Sequence, residues 1–255
     1  MNIALIGYGK MGRMIEQIVG VKGHTISVIV DPIAANAASG IKINKTIAEA
    51  DFKSTDAAIE FTQPDTAIAN IIALTEKKIP TVVGTTGWHS RAEEVSKAVE
   101  KEKTSLLWAS NFSIGVNLFY RIAWYASELA NKFTEYDVGG FESHHNKKMD
   151  SPSGTAKTLA VGVLSRIDRK KKIVWETMEE GAVQADELHF PSLRLGSVPG
   201  THSLFFDSPA DTIEITHTAR NREGFASGAI QAAQWLTAKE RRGIFTIDDM
   251  LKELL

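Results

Sequence analysis

Cysteine is absent from all 255 residues, which rules out disulfides, thiolate metal sites and a cysteine nucleophile together. A net positive charge is also missing. The formal charge is −2, so no overall field draws the chain to nucleic acid or to an anionic membrane. The opening apolar run, Met1 to Ile6, is far short of the roughly 18 residues that a membrane span needs. Neither a basic leader nor a small-residue cleavage site precedes it, so a soluble cytoplasmic protein is expected. What remains is ordinary globular chemistry: 43% hydrophobic and 24% charged residues, enough for one large domain or two modest ones.

The first hundred residues alternate short apolar runs with helix-periodic stretches. Strands are predicted at Asn2–Ile6, Thr25–Val30, Ala57–Phe61, Thr81–Val83 and Ser105–Trp108, and helices at Met11–Val19, Ala67–Lys77 and Arg91–Lys101. Apolar and β-branched strands separated by amphipathic helices argue for a doubly wound parallel sheet. Past residue 112 the pattern changes. A long helix at Ile114–Asn131, a strand at Tyr136–His144 and a helix at Thr155–Ile167 are followed by strand signals at Ser192–Leu195, His202–Phe206 and Thr212–Thr218. This reads as an open mixed sheet with helices on one face. Closing helices are expected at Gly228–Thr237 and Asp248–Leu254, returning to the first half. The charge run Arg169–Lys172 reads as a solvated turn.

Gly7-Tyr8-Gly9-Lys10-Met11-Gly12 follows the first strand and opens the first helix, which is the context that gives a GxGxxG loop its meaning. The first glycine permits the tight turn, the second lets backbone approach a pyrophosphate, and the third allows close helix–strand packing. Asp31, ending the second strand, stands where an acid would bind ribose hydroxyls. Gly84-Thr85-Thr86-Gly87 and Ala109-Ser110-Asn111-Phe112 each follow a strand, at the carboxyl edge where doubly wound sheets bind ligands.

The densest chemistry lies in Glu142-Ser143-His144-His145-Asn146-Lys147-Lys148-Met149-Asp150-Ser151-Pro152-Ser153-Gly154-Thr155-Ala156. Successive strand residues point to opposite faces, so His144 and His145 do not naturally chelate one metal, and two lysines repel a cation. An anion site reads better, and no metal is expected. Ser153, Gly154 and Thr155 sit at a helix N-terminus, whose free amides and dipole favour a carboxylate. Lys148 adds a full charge, and a histidine supplies a proton near neutral pH. Together these describe a pocket for a small carboxylate substrate. The bland reading is a capped helix after a polar loop, with structurally satisfied histidines.

This His-His…Lys…Asp…Pro-Ser-Gly-Thr-Ala run strongly resembles the signature of the dihydrodipicolinate reductase family. The segments Ala58–Pro64, Gly84–Gly87, Asn111–Asn117 and Ile213–His217 resemble family segments in their expected places, so the resemblance spans the chain. It implies proton transfer by His144, with Lys148 sharing in protonation and substrate binding, and carboxylate binding by His145, Gly154 and Thr155. The implied dinucleotide contacts are Gly7 to Gly12, Asp31, Gly84 to Thr86 and Ala109 to Phe112, with Arg222 and Phe225 as a secondary pair. It further implies reduction of 4-hydroxy-tetrahydrodipicolinate, or its dihydro form, in lysine and diaminopimelate biosynthesis, and a homotetramer built through the central sheet.

The sequence also departs from the family. Its glycine loop is one residue shorter than in many members, and Asn146 and Lys147 replace a common Arg and His. Pro32 replaces a frequent arginine after Asp31, which bears on cofactor choice. With Asp31 facing the ribose and Lys10 the nearby cation, NADH is expected to serve at least as well as NADPH. The expected layout is a discontinuous dinucleotide domain, 1–112 plus 226–255, around a substrate and oligomerisation domain, 113–225. Two rivals stand beside this reading: another small-carboxylate dehydrogenase on the same scaffold, and a dinucleotide sensor without turnover.

Overall fold

The structure is a computed structural model that describes residues 1–176 and 180–254. In chain order its elements begin β1 (Asn2–Ile6), α1 (Lys10–Val19), β2 (Thr25–Val30), β3 (Ile43–Asn44), β4 (Ala57–Glu60), α2 (Pro64–Glu76), β5 (Thr81–Val83), α3 (Ala92–Glu102) and β6 (Ser105–Trp108). The middle contributes α4 (Ile114–Ala130), β7 (Asp137–His144), α5 (Gly154–Leu164), β8 (Lys172–Val174), β9 (Glu187–His189), β10 (Ser192–Arg194), β11 (Thr201–Asp207) and β12 (Thr212–Thr218). The chain closes with α6 (Glu223–Thr237), β13 (Gly243–Thr246) and α7 (Ile247–Leu254). Two compact units result, Met1–Ser113 with Arg222–Leu255, and Ile114–Asn221.

The first unit holds a seven-stranded sheet in the order β13-β6-β5-β4-β1-β2-β3, every pairing parallel. Parallel strands lie under helices on both faces, and β4 and β5 are accordingly buried at every position. The return helix α6 buries Ala226, Gly228, Ala229, Ala232 and Ala233, small residues that let it lie close to its neighbours. Gly228 shows how close: a Cβ there would stand 1.8 Å from the carbonyl oxygen of Phe112. The two-residue β3 and the short edge strand β13 carry too little pattern to be legible beforehand.

The second unit is a mixed four-stranded sheet in the order β10-β7-β11-β12, with a separate parallel pair β8-β9. Its core is built from Val116, Phe119, Tyr120 and Ala123 of α4 and Ala156, Leu159, Ala160 and Val163 of α5, packed on Val138, Leu204 and Phe206 of the sheet. This Rossmann-type sheet with a separate mixed sheet is the expected fold class. The charge run, however, is no simple solvated turn. Lys170 is buried, donates to the Glu187 carbonyl at 2.8 Å and pairs with Asp137 at 2.6 Å. A lysine goes inside when its ammonium meets a carboxylate and a carbonyl there, and single-sequence charge patterning does not show such partners.

Candidate functional site

In the first unit the glycine loop has the geometry its spacing predicts. Gly7 has φ +91°, and a Cβ on it would meet the Phe61 carbonyl oxygen at 2.1 Å; one on Gly12 would meet the Gly7 oxygen at 2.3 Å. Gly9 differs. No atom lies within 4 Å of its Cβ position, so the surface is open at the N-cap of α1, where no side chain caps the helix amides. A cavity of about 390 Å³ is lined by Gly9, Lys10, Met11, Thr62, Gly84 and Thr86 among others. Open backbone at a helix N-terminus beside this cavity fits a dinucleotide pyrophosphate.

The remaining expected cofactor residues play differing parts. Tyr8 is buried, and its hydroxyl bonds Glu16 and accepts from the Ala38 amide at 3.0 Å, so its ring supports the loop from behind. Asp31 accepts from the amides of Tyr8 (2.7 Å), Ile33 (2.8 Å) and Ala34 (2.7 Å). Burial pushes its carboxyl up, but those amides and Lys45 outweigh it and hold the group below the ordinary aspartate range. Lys45 is a cation the sequence reading missed; β3 carries it to Asp31, where its Nζ donates to the Ala34 carbonyl at 3.0 Å. Thr85 Oγ accepts from the Thr62 amide at 2.8 Å, while Gly84 lies against the Phe61 ring with no room for a Cβ. Ala109 and Phe112 are buried, Ser110 is exposed, and Asn111 Oδ1 accepts from the Ser113 amide at 2.9 Å. Arg222 is the exposed N-cap of α6, and Phe225 is half-buried in its first turn.

The second unit gathers a different cluster, and strand register assembles it. Ser192 of β10 and His202 of β11 both pair with Glu142 of β7, and His217 of β12 pairs with His202, so the four share one row across the sheet. Glu142 Oε1 accepts from Ser192 Oγ (2.8 Å), Arg194 (2.9 Å) and the Ser153 amide (3.0 Å). Its Oε2 lies 3.1 Å from His144 Nδ1 and 3.4 Å from His202 Nε2. Burial alone would raise the Glu142 carboxyl, but the imidazoles of His144 and His202 beside Oε2, with the bonds from Ser153 and Ser192, overcome it and hold it far below the ordinary range. His202 is pushed down by burial, so it is neutral at neutral pH.

Ser153 caps α5 by accepting from the Ala156 amide at 3.1 Å, and its Oγ lies 3.2 Å from His202 Nε2. That buried side chain therefore frames the helix start. Gly154 opens α5 with free space at its Cβ position, and the Thr155 carbonyl is pinned by the Tyr120 hydroxyl, which burial pushes up to about 12. Lys148 stands on the loop between, paired with Asp150 at 2.7 Å. His145 is half-buried just past β7 and is not the partner of His144. Sequence reasoning missed His202, Ser192 and Arg194, because only β-sheet register brings them to Glu142. Glu142, His144 and His202 present ligand atoms within 4.8 Å of one another, but Arg194 already balances the carboxylate.

Comparison with known proteins settles the family. Residues 1–112 match the model of the N-terminal part of dihydrodipicolinate reductase and residues 115–251 that of its C-terminal part. The chain belongs to the dihydrodipicolinate reductase family. A 4-hydroxy-tetrahydrodipicolinate reductase of Christiangramia forsetii is 40% identical over 257 residues, covering 100% of this chain and 99% of that protein. One from Archaeoglobus fulgidus is 33% identical over 99% of this chain and 100% of its own length. Among solved structures, a dipicolinate-bound dihydrodipicolinate reductase from Paenisporosarcina shares the fold at TM-score 0.77 and 22% identity, covering 96% of this chain and 97% of that one. An engineered D-amino acid dehydrogenase bound to NADP+ shares it at TM-score 0.56 and 13% identity, covering 97% and 93%. Family and fold make this chain an oxidoreductase with a nicotinamide cofactor. No helix among the described residues is long and apolar enough to cross a membrane.

Proposed function

We propose that this reductase converts 4-hydroxy-tetrahydrodipicolinate to tetrahydrodipicolinate in lysine and diaminopimelate biosynthesis, with His144 transferring the proton and NADH serving at least as well as NADPH. The observation that supports this most is the conjunction, in one strand–loop–helix, of His144 against Glu142, of Lys148, and of the open N-terminus of α5 at Gly154. The nicotinamide, when bound, supplies the hydride. The protein binds, orients and moves the proton. The α5 amides at Gly154 and Thr155, with Lys148 and His145, hold the substrate's carboxylates, and Ser153 fixes the helix start that presents them. Lys148 balances negative charge that grows as the ring is reduced. On the cofactor side, Gly7 to Gly12, Asp31, Gly84 to Thr86 and Ala109 to Phe112 form the dinucleotide crevice, with Arg222 and Phe225 beside it.

Two further parts of the reading rest on the family. The enzyme works in the cytoplasm, and it assembles as a homotetramer through the central sheet. The stacked pair Phe141 and Phe205, centroids 6.0 Å apart and half-buried in the single chain, suits an interface on the sheet face away from α4 and α5. The decisive assay is oxidation of NADH in the presence of freshly formed product of the preceding synthase. Absence of substrate-dependent oxidation with either nicotinamide would reject the function. Size-exclusion chromatography with light scattering tests the tetramer, which a Phe205→Glu change should break.

A further inference from the structure

Glu142 divides its two oxygens between different tasks. Oε1 is fully engaged by Arg194, Ser192 and the Ser153 amide, three donors at 2.8–3.0 Å. Those bonds fix the carboxylate plane. Oε2 is left to two imidazoles, His144 Nδ1 at 3.1 Å and His202 Nε2 at 3.4 Å, whose rings meet edge to face with centroids 5.2 Å apart. All three side chains are buried. The other ring nitrogen of His144 faces backbone: Gly200 has φ +153°, and a Cβ on it would stand 2.9 Å from His144 Nε2. One nitrogen therefore meets a fixed anion, and the other meets the space that a missing side chain leaves.

We propose that Glu142 is the positioning residue of this site, holding His144 with a proton on Nδ1 so that Nε2 is the nitrogen that exchanges protons with substrate, while His202 braces the same carboxylate oxygen from the other side. This rests on the reading of His144 as the proton-transfer group. The chemistry balances simply. When the protonated imidazole gives up its Nε2 proton, that N–H pair stays on Nε2 as a lone pair, the proton joins the substrate, and the neutral ring keeps Nδ1–H against Glu142. Solvent then restores the proton. The His144–Glu142 contact is close but not collinear, a common state before substrate tightens a catalytic hydrogen bond.

Glu142→Gln tests this directly. Its oxygen can keep the Arg194, Ser192 and Ser153 contacts, but its NH₂ then faces His144 and demands an acceptor at Nδ1. Donation from Nε2 would then leave an imidazolate, so transfer should stall. Expected are a fall in kcat of about 10²–10⁴-fold, on the scale of general acid–base catalysis and of wrong-tautomer mutants, and a nearly unchanged substrate KM and dissociation constant for pyridine-2,6-dicarboxylate. Unchanged kcat would overturn the proposal. So would kcat, KM and melting temperature worsening together, the mark of a merely structural residue. If the variant does not fold, neutron diffraction from the deuterated wild-type enzyme at a pH where His144 is neutral decides: a deuteron on Nδ1 supports the proposal, and one on Nε2 alone overturns it. His144→Ala serves as the separating control. If it keeps full kcat, the site reading itself fails; if it loses kcat while Glu142→Gln does not, only the positioning role fails.

Discussion

Replacing Asp31 by Asn should shift cofactor choice toward NADPH, and the structure bounds by how much. Asp31 is held below its ordinary range by three amides and Lys45, so it is ionised at neutral pH. A 2′-phosphate about 4 Å from that carboxylate would meet a repulsion of about 1–4 kcal/mol per unit charge, between the water and near-surface limits. Removing it should raise the NADPH to NADH ratio of kcat/KM by roughly 5-fold to nearly 10³-fold, and Lys45 would be freed to meet the phosphate. Asparagine keeps an oxygen for the Ile33 and Ala34 amides but turns an NH₂ toward the Tyr8 amide, which now lies 2.7 Å from a carboxylate oxygen. Losing that bond should cost about 1–3 kcal/mol of stability, so a lower melting temperature is part of the expected outcome. The assay is kcat/KM for both cofactors at low salt, repeated near 1 M salt, where a Debye length of about 3 Å should compress the difference. A wild-type enzyme preferring NADPH tenfold would refute the reasoning, as would an unchanged ratio in Asp31→Asn.

Other consequences can be checked as directly. Lys148→Ala should cripple turnover and leave NADH binding nearly unchanged, with a loss of roughly 1.5–3 kcal/mol in substrate binding for one charge-assisted contact; wild-type kcat/KM would remove Lys148 from the site. His144→Ala should lower kcat about 10²–10⁴-fold, whereas His145→Ala should mainly raise KM, and the reverse pattern would swap their roles. Gly228→Ala drives a methyl to 1.8 Å from the Phe112 carbonyl oxygen, so thermal unfolding should report a loss of about 1–3 kcal/mol or more; an unshifted transition would contradict the packing. Stability should also fall with acid. His202 is lowered from 6.5, so the unfolded chain binds its proton first, and stability should decline as pH drops below about 6.5; Glu142, depressed in the folded state, adds a second decline below about 4.3. A flat melting temperature from pH 7 to pH 5 would deny the His202 contribution.

What was legible beforehand is what neighbours in sequence decide. The glycine loop is a turn, a helix start and a strand end within six residues, so the crowding of Gly12 against the Gly7 oxygen and the opening at Gly9 follow from local steric rules, whereas Gly7 is crowded by the Phe61 carbonyl just past β4. The start of α5 is equally local: Ser153 three residues before Ala156 is a capping geometry that any reader of helix termini expects. Strands β1 and β2 were legible because a sheet buried on both faces leaves continuous apolar runs.

The rest depended on register. Glu142 meets Ser192 and His202 because β10 and β11 flank β7 in one alignment, and a slip by one residue would turn each partner to the opposite face. No spacing rule within a single strand encodes that alignment across fifty or sixty residues. The histidines that share a carboxylate are therefore His144 and His202, from two strands, and not the adjacent His144 and His145. Adjacent strand residues diverge, which is why the pattern argued against shared coordination; the same divergence leaves His144 free to face a partner from another strand. The same logic explains Lys170, whose carboxylate partner Asp137 opens β7 at a distance that charge counting along the chain does not register. A buried charge is stable only with its partner, so each long-range ion pair here also checks the register that creates it. Shifting β11 against β7 would strand Glu142 without His202, while His144, on the same strand as Glu142, would keep its carboxylate neighbour.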